Sequence, residues 1–269
     1  MTETESPEVL YDVSDHIATI TLNRPERMNT ISRIMLDTLA EYLKAARNDP
    51  DVRVIVLTGT GRAFCAGLEI PRDPSQGSRG VMDPNRGPRT TIDLHNIPPT
   101  VLNDLDKPTI CALNGSAAGY GFDIAIGCDI RVMAENAKLS VAFVKRGVVP
   151  ESGGTWLLPR MIGWSKAAEL IFTGRTLSAE ESLGMGLVSS IHPAEEVGAV
   201  ARAMALEIAG NAPLAVQAAK RMMRAGQNEP FPQHVHHVFL QLNALMRTED
   251  IKEGMASFVE KRPPKFEGR

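Results

Sequence analysis

Three short stretches carry residues that could do chemistry. In GVVPESGGTW, Gly147 to Trp156, Glu151 stands between a proline and Ser152-Gly153-Gly154, with apolar residues on either side. A glutamate partly withdrawn from water in that way has its pKa pushed upward and can carry a proton. The bland alternative is an acidic residue favouring a helix start. In NGSAAGYGFDIAIGCD, 114–129, small residues lead into a helix near Tyr120, and Asp123 falls in its first turn. Free N–H groups there favour a developing negative charge. The helix dipole keeps Asp123 ionised unless burial raises its pKa, and a plain capping carboxylate is the competing reading. In TGTGRAFCAG, 58–67, glycines after an apolar run allow a backbone N–H to point into a cavity, or simply make a tight turn.

Other reactive side chains point to packing. Cys65 has no histidine close in sequence and reads as a buried, unreactive thiol. In HVHH, His234 and His237 would share a helix face and His236 would not. No third ligand at metal spacing accompanies them, so a polar helix face is expected and no metal site. Met222, Met223 and Met246 read as packing surface.

The elements that must hold these residues alternate. HIATITLNRP, 16–25, reads as a strand with one buried face. A helix follows with Ile34, Met35, Leu39, Leu43 and Ala46 on one side, stopped by Asn48-Asp49-Pro50. VRVIVLTGTG reads as a central strand, 71–91 as a Pro/Gly-rich loop, 92–105 as a short helix, and TICALNG as a buried strand. Two short β runs are expected in 131–144, then a helix over WLLPRMIG. Next comes a helix from an N-cap Ser165 to Gly174, a capping box at Ser178 and Glu181, and a last strand in 186–192. Four helices are expected after 194. The order predicts an α/β fold with a helical C-terminal part: a flexible tail over 1–8, a core over 9–195, and a helical region over 196–269.

Composition bounds the function. The 269 residues are 43% apolar, enough for one sizeable core. With 29 basic and 32 acidic residues, the net charge of -3 argues against nucleic acid as a partner. Three cysteines without a CxxC pair, an acidic N-terminal stretch without an apolar core, and no run of 18 apolar residues predict a cytoplasmic protein with no membrane span. The dinucleotide fingerprint, the Walker phosphate loop and HExxH are missing.

ITLNRPERMNTIS, VIVLTGTGRAFCAGLEI, KPTICALNGSAAGYGFDIAIGCDIRV, GVVPESGGTWLLPRMIG, AAELIFTGRTLSAEESLGMGLVSSI and FVEKRPPKF together resemble the enoyl-CoA hydratase/isomerase (crotonase) superfamily, over about residues 10 to 266. The resemblance implies a crotonase-like spiral of repeated β-β-α units with a C-terminal helical region that oligomerises and closes over ligand. It implies a homotrimer or dimer of trimers. The substrate would be an acyl-CoA or enoyl-CoA thioester whose carbonyl oxygen is gripped by two backbone N–H groups, matching Ala66 and Tyr120. Coenzyme A would be part of the substrate, with no separate cofactor and no metal.

In hydratases of this superfamily two glutamates act. The first matches Asp123. The second belongs to a Pro-Glu pair that is Ala142-Phe143 here, and Phe143 cannot transfer a proton. Glu151 falls where several double-bond isomerases carry an acid. The resemblance therefore implies isomerisation of an enoyl-CoA by proton shuttling, with Glu151 as carrier and Asp123 as second acid. Its alternatives are hydration of a 2-enoyl-CoA, or a weakened acyl-CoA-binding or scaffolding protein. Arg24, Lys261 and Lys265 are candidates for the CoA phosphates, and Phe143 and Trp156 for the acyl pocket.

Overall fold

In the computed structural model, residues 6–69 and 95–269 are described. The loop expected over 71–91 and the first five residues of the expected tail lie outside them. Glu8, at the tail's inner end, accepts the Asn23 N–H through its backbone oxygen and the Ser32 hydroxyl through its carboxylate.

Apolar strands that end in small residues build two sheets. The larger contains β1 (Val9–Ser14), β2 (Ile17–Leu22), β3 (Val54–Gly59), β5 (Thr109–Leu113), β7 (Ile130–Ala134) and β10 (Ser190–His192), in the order β1-β2-β3-β5-β7-β10. The smaller contains β4 (Ala63–Cys65), β6 (Ser116–Ala118), β8 (Leu139–Ser140) and β9 (Thr176–Leu177), in the order β4-β6-β8-β9. Pairing from β2 through β10 in the large sheet is parallel. Three successive turns repeat one plan. β3, β5 and β7 each enter the large sheet, and β4, β6 and β8 follow into the small one. The helices α2 (Pro98–Asn103), α3 (Tyr120–Gly127) and α4 (Gly154–Ile162) complete the turns. This is the expected spiral of β-β-α units.

Sequence periodicity accounts for the first helix, α1 (Arg33–Asn48). Ser32 caps it by accepting the Met35 N–H, and Met35, Leu39, Leu43 and Ala46 recur on its buried face. Ile34 is 65% exposed, against expectation, because one residue back from Met35 is a rotation of about 100° away from that face. β1 was not anticipated at all. It pairs antiparallel with β2 through a two-residue turn in which Asp15 and His16 both take positive φ, 51° and 64°.

Helix α5 (Trp164–Thr173) starts one residue earlier than the expected Ser165 cap. Gly163 precedes it at φ 79°, and Gly174 ends it in the left-handed region as expected. The Ser178/Glu181 capping box is formed in both directions at α6 (Ala179–Gly184). The C-terminal part is α7 (Val197–Ala209), α8 (Pro213–Gly226), α9 (Phe231–Leu245) and α10 (Glu249–Glu260). α7 buries Val197, Ala201, Ala205 and Ala209, whereas α9 buries none of its residues in the single chain. Among the described residues, no helix is long and apolar enough to cross a membrane.

Candidate active site

Helix α3 is buried from Tyr120 to Ile126, so the carboxylate in its first turn is carried inside with it. Asp123 is 1% exposed. Its Oδ2 accepts the Ser152 N–H at 3.1 Å, and its Oδ1 has no hydrogen-bond partner among the described residues. The Ser-Gly-Gly run explains itself around this group. Ser152 supplies the N–H. Gly153 takes φ 108°, which a side chain disfavours. A Cβ on Gly154 would stand 2.5 Å from Asp123 Oδ1, so only glycine leaves the carboxylate its room.

Burial is the largest influence on Asp123 and pushes its pKa up to about 7, with the Ser152 N–H opposing and the Glu151 charge adding to the rise. The Gly154 N–H also favours the charged form, although it closes no hydrogen bond on Oδ1. Glu151 sits on the exposed turn before α4. The surrounding protein still withholds enough water to raise its carboxyl above the ordinary value. Both acids line one cavity of about 330 Å³ between α2, α3 and α4, together with Ser152, Leu157 and Trp156. Arg160 stacks over the Trp156 ring at 3.9 Å. The site thus holds one buried, tethered carboxyl group and one accessible one, with pKa values moved toward neutrality. That pairing suits transfer of a proton to or from carbon.

The backbone donors differ from expectation. The Ala66 N–H is spent on Met28 O at 3.0 Å, so Ala66 is not the free donor. Ile31 N bonds Gly67 O and Glu69 N bonds Ile31 O, an isolated parallel bridge. Successive N–H groups along an extended strand face opposite ways, so the Leu68 N–H faces away from Ile31. It has no partner among the described residues. Gly67, at φ 101°, runs against the start of α3, where an added Cβ would stand 3.7 Å from Tyr120 N. The Tyr120 N–H opens that helix and is also unpartnered among the described residues. Leu68 and Tyr120, not Ala66 and Tyr120, therefore offer a pair of free N–H groups. Sequence reading missed Leu68 because the direction of each N–H depends on pairing with the distant Ile31. Ser152, also missed, lay in plain view as the neighbour of Glu151.

The remaining candidates divide. Trp156 lines the cavity. Phe143 is buried in the main core and does not line it. Arg24 is occupied: its Nη1 bonds Thr30 O at 2.8 Å and Glu69 at 3.2 Å, and its Nε lies 3.4 Å from Glu8. It ties three segments together and is no free phosphate ligand. Lys261 ends α10 in the left-handed region at φ 54°. Lys265 lines a different cavity, with His16 and Arg53. Neither reaches the carboxylate cavity within this chain. Cys65 is fully buried and its thiol is pushed up to about 12, which leaves it no nucleophile. His234 and His237 share a helix face and both approach Glu229 Oε2, at 3.5 Å and 2.9 Å.

Comparison with known proteins agrees with the fold. The family model described as enoyl-CoA hydratase/isomerase matches residues 12–269. (E)-benzylidenesuccinyl-CoA hydratase of Thauera aromatica is 38% identical over 97% of this chain and 99% of its own. The 1,2-epoxyphenylacetyl-CoA isomerase of Escherichia coli is 35% identical over 97% and 98%. The crystal structure of an enoyl-CoA hydratase from Bacillus anthracis superposes with a TM-score of 0.85 at 31% identity, covering 97% of this chain and 100% of that one.

Proposed function

Because the chain belongs to the enoyl-CoA hydratase/isomerase family of enzymes, which act on acyl-CoA and enoyl-CoA thioesters, we propose that it moves a double bond along an enoyl-CoA by shuttling a proton. The thioester oxygen accepts from the Leu68 and Tyr120 N–H groups. Glu151 removes an α or γ proton, and the two N–H groups stabilise the charge that develops on the oxygen, about 3 kcal/mol for a good donor. Glu151 then returns the proton at the other end of the allylic system. Asp123 is the second acid. Coenzyme A enters as part of the substrate, and the steps call on no metal or redox group.

One observation carries the reading. The only carboxylate at the open side of the cavity among the described residues is Glu151, while the position of the hydratases' second glutamate is the buried Phe143. A second reading, hydration of a 2-enoyl-CoA, draws on two buried unpartnered atoms, Asp123 Oδ1 and Ser152 Oγ, which offer a water its hydrogen bonds.

Turnover of 2-enoyl- and 3-enoyl-CoA in deuterated water separates the two. Double-bond migration with deuterium at Cα or Cγ supports the shuttle, and a 3-hydroxyacyl-CoA product supports hydration. Glu151→Gln should lower turnover by about 10²- to 10⁴-fold. Nearly full activity in that variant would sink the assignment of Glu151. Failure of the protein to bind any of a broad acyl-CoA panel would return it to a scaffolding role.

The C-terminal helices bear on assembly. Phe239 and Leu240 on α9 and Met255, Phe258 and Val259 on α10 are exposed in the single chain. This exposed apolar surface suits burial between copies, the assembly expected for residues 196–269 being a homotrimer or dimer of trimers. Sedimentation velocity tests it, with a monomer as the contrary outcome. Three free, buried cysteines suit a reducing cytoplasm.

A further inference from the structure

The proton shuttle uses the backbone of Tyr120 and leaves its side chain unexplained. That side chain is 6% exposed at the start of α3. Its phenol lies beside the Ser152 hydroxyl and within electrostatic reach of Glu151, Asp123 and Cys65. Two atoms in this cluster are buried without a partner among the described residues, Ser152 Oγ and Asp123 Oδ1. Buried polar atoms are nearly always hydrogen-bonded, so two adjacent orphans in a catalytic cavity call for an account. The inventory of groups supplies one. Cys65 keeps its proton, since burial pushes its thiol up to about 12. Burial and the two nearby carboxylates hold the phenol above its ordinary pKa, so it remains a donor. The α2 wall of the cavity adds Thr100 and Asn103, which are uncharged, and Asp123 and Glu151 are the only ionisable residues that line it among those described.

Ser152 already holds Asp123 Oδ2 through its N–H at 3.1 Å. The serine hydroxyl is both a donor and an acceptor and turns about χ1, so it can serve the second carboxylate oxygen of the same aspartate. We propose that Tyr120 is a positioning residue of this enzyme: its phenol donates to Ser152 Oγ, and the Ser152 hydroxyl donates to Asp123 Oδ1. The donor chain holds Asp123 as the fixed charged partner and leaves the travelling proton on Glu151. The inference rests on the carboxylate pair acting together as described under the proposed function. It goes beyond it by giving the tyrosine side chain a role separate from its backbone.

The test is the pH dependence of turnover in Tyr120→Phe, Ser152→Ala and the double variant. Tyr120→Phe keeps the backbone N–H, so the change it makes is read from the loss of the phenol alone. Losing a donor to the carboxylate raises its pKa, so the acid limb of kcat should move up by about one pH unit. Ser152→Ala should move it the same way. The double variant should move it no further than the larger single effect, because both groups belong to one chain. An unmoved acid limb in Tyr120→Phe, or fully additive shifts, overturns the proposal. Carbon-13 NMR titration of the aspartate carboxyls gives a readout independent of activity. An Asp123 titration that rises in both variants supports the chain even where Glu151→Gln retains full turnover and the shuttle itself fails. An Asp123 titration that stays fixed in both variants rejects the chain whatever the kinetics.

Discussion

Two aspartates six residues apart, one in the first turn of helix α3 and one past its end, are treated in opposite ways. Asp129, just past the helix end, is fully supplied. Its Oδ2 accepts from Thr109 N at 2.7 Å, Thr109 Oγ1 at 2.9 Å and Lys220 Nζ at 2.6 Å, and Arg224 lies 3.5 Å from Oδ1. Lys220 also donates to Lys107 O at 2.7 Å, so the cluster fastens α8 to the β5 end of the core. Among the described residues, Asp123 has a single N–H, one orphan oxygen and no cation. Burial without compensation is costly, and proteins keep it where the strained group does something. The difference separates an acid that holds the fold together from one held at the cavity as the partner of the proton carrier.

The largest expected effect is on turnover. Asp123→Asn keeps the shape and removes the carboxylate charge, and should lower kcat by roughly 10²-fold or more, while Asp129→Asn should leave the rate per folded molecule nearly untouched. Steady-state kinetics on both variants checks it, and equal losses would erase the contrast. Stability should run the other way. The folded-state pKa of Asp123 is about 7 against an ordinary 3.8. Between those values the folded protein retains a proton that the unfolded chain has released. Stability is therefore full below the lower value and falls as pH rises through the upper one, by at most roughly 4 kcal/mol from this group. Asp123→Asn removes that penalty. Denaturant unfolding should show the variant gaining on the parent at about pH 8 and not at about pH 3.5. The same difference at both pH values would mean that Asp123 is not held in this state.

How far the two aspartates could be told apart in advance depends on where their partners lie. Asp123 and Glu151 stood out by residue type, by apolar flanks and by matching a family pattern, and the structure puts both on one cavity. Helices α1 and α6 were legible because their caps and periodicity are local. β1 escaped notice because Leu10 and Val13 face outward and the strand follows an acidic stretch. Residues whose meaning comes from distant chain were misread. Arg24 looked like a phosphate ligand until Glu69, 45 residues on, was seen to hold it. Ala66 looked like the oxyanion donor until Met28 was seen to take its N–H. The ties of Asp129 to Thr109, Lys220 and Arg224 were equally invisible, since they join residues 20, 91 and 95 positions apart.

The supporting cluster can be loosened in steps. Lys220→Met strips the buried ammonium from Asp129 and from Lys107 O, and should cost about 2 kcal/mol, less than a fully buried pair because Asp129 keeps some contact with water. The rate per folded molecule should hold.

Thr109→Val is the gentlest cut and the sharpest test. The side chain is fully buried, and valine matches its outline but not its hydroxyl, so the change falls on the hydrogen bonds. The variant loses the Thr109 Oγ1 bond to Asp129 and the bond from Asp129 N to the same oxygen, each 2.9 Å. Asp129 N still reaches Thr109 O at 3.1 Å, and Lys220 still holds Oδ2, so no group is orphaned. The loss should therefore stay near 1 kcal/mol in denaturant unfolding, the net worth of an exchanged hydrogen bond. Combined with Lys220→Met, it should cost more than the sum of the two single losses, because the carboxylate then keeps only Thr109 N and the more distant Arg224. Simple additivity would show that Thr109 and Lys220 act on Asp129 independently, and would weaken the picture of one shared network at this end of the helix.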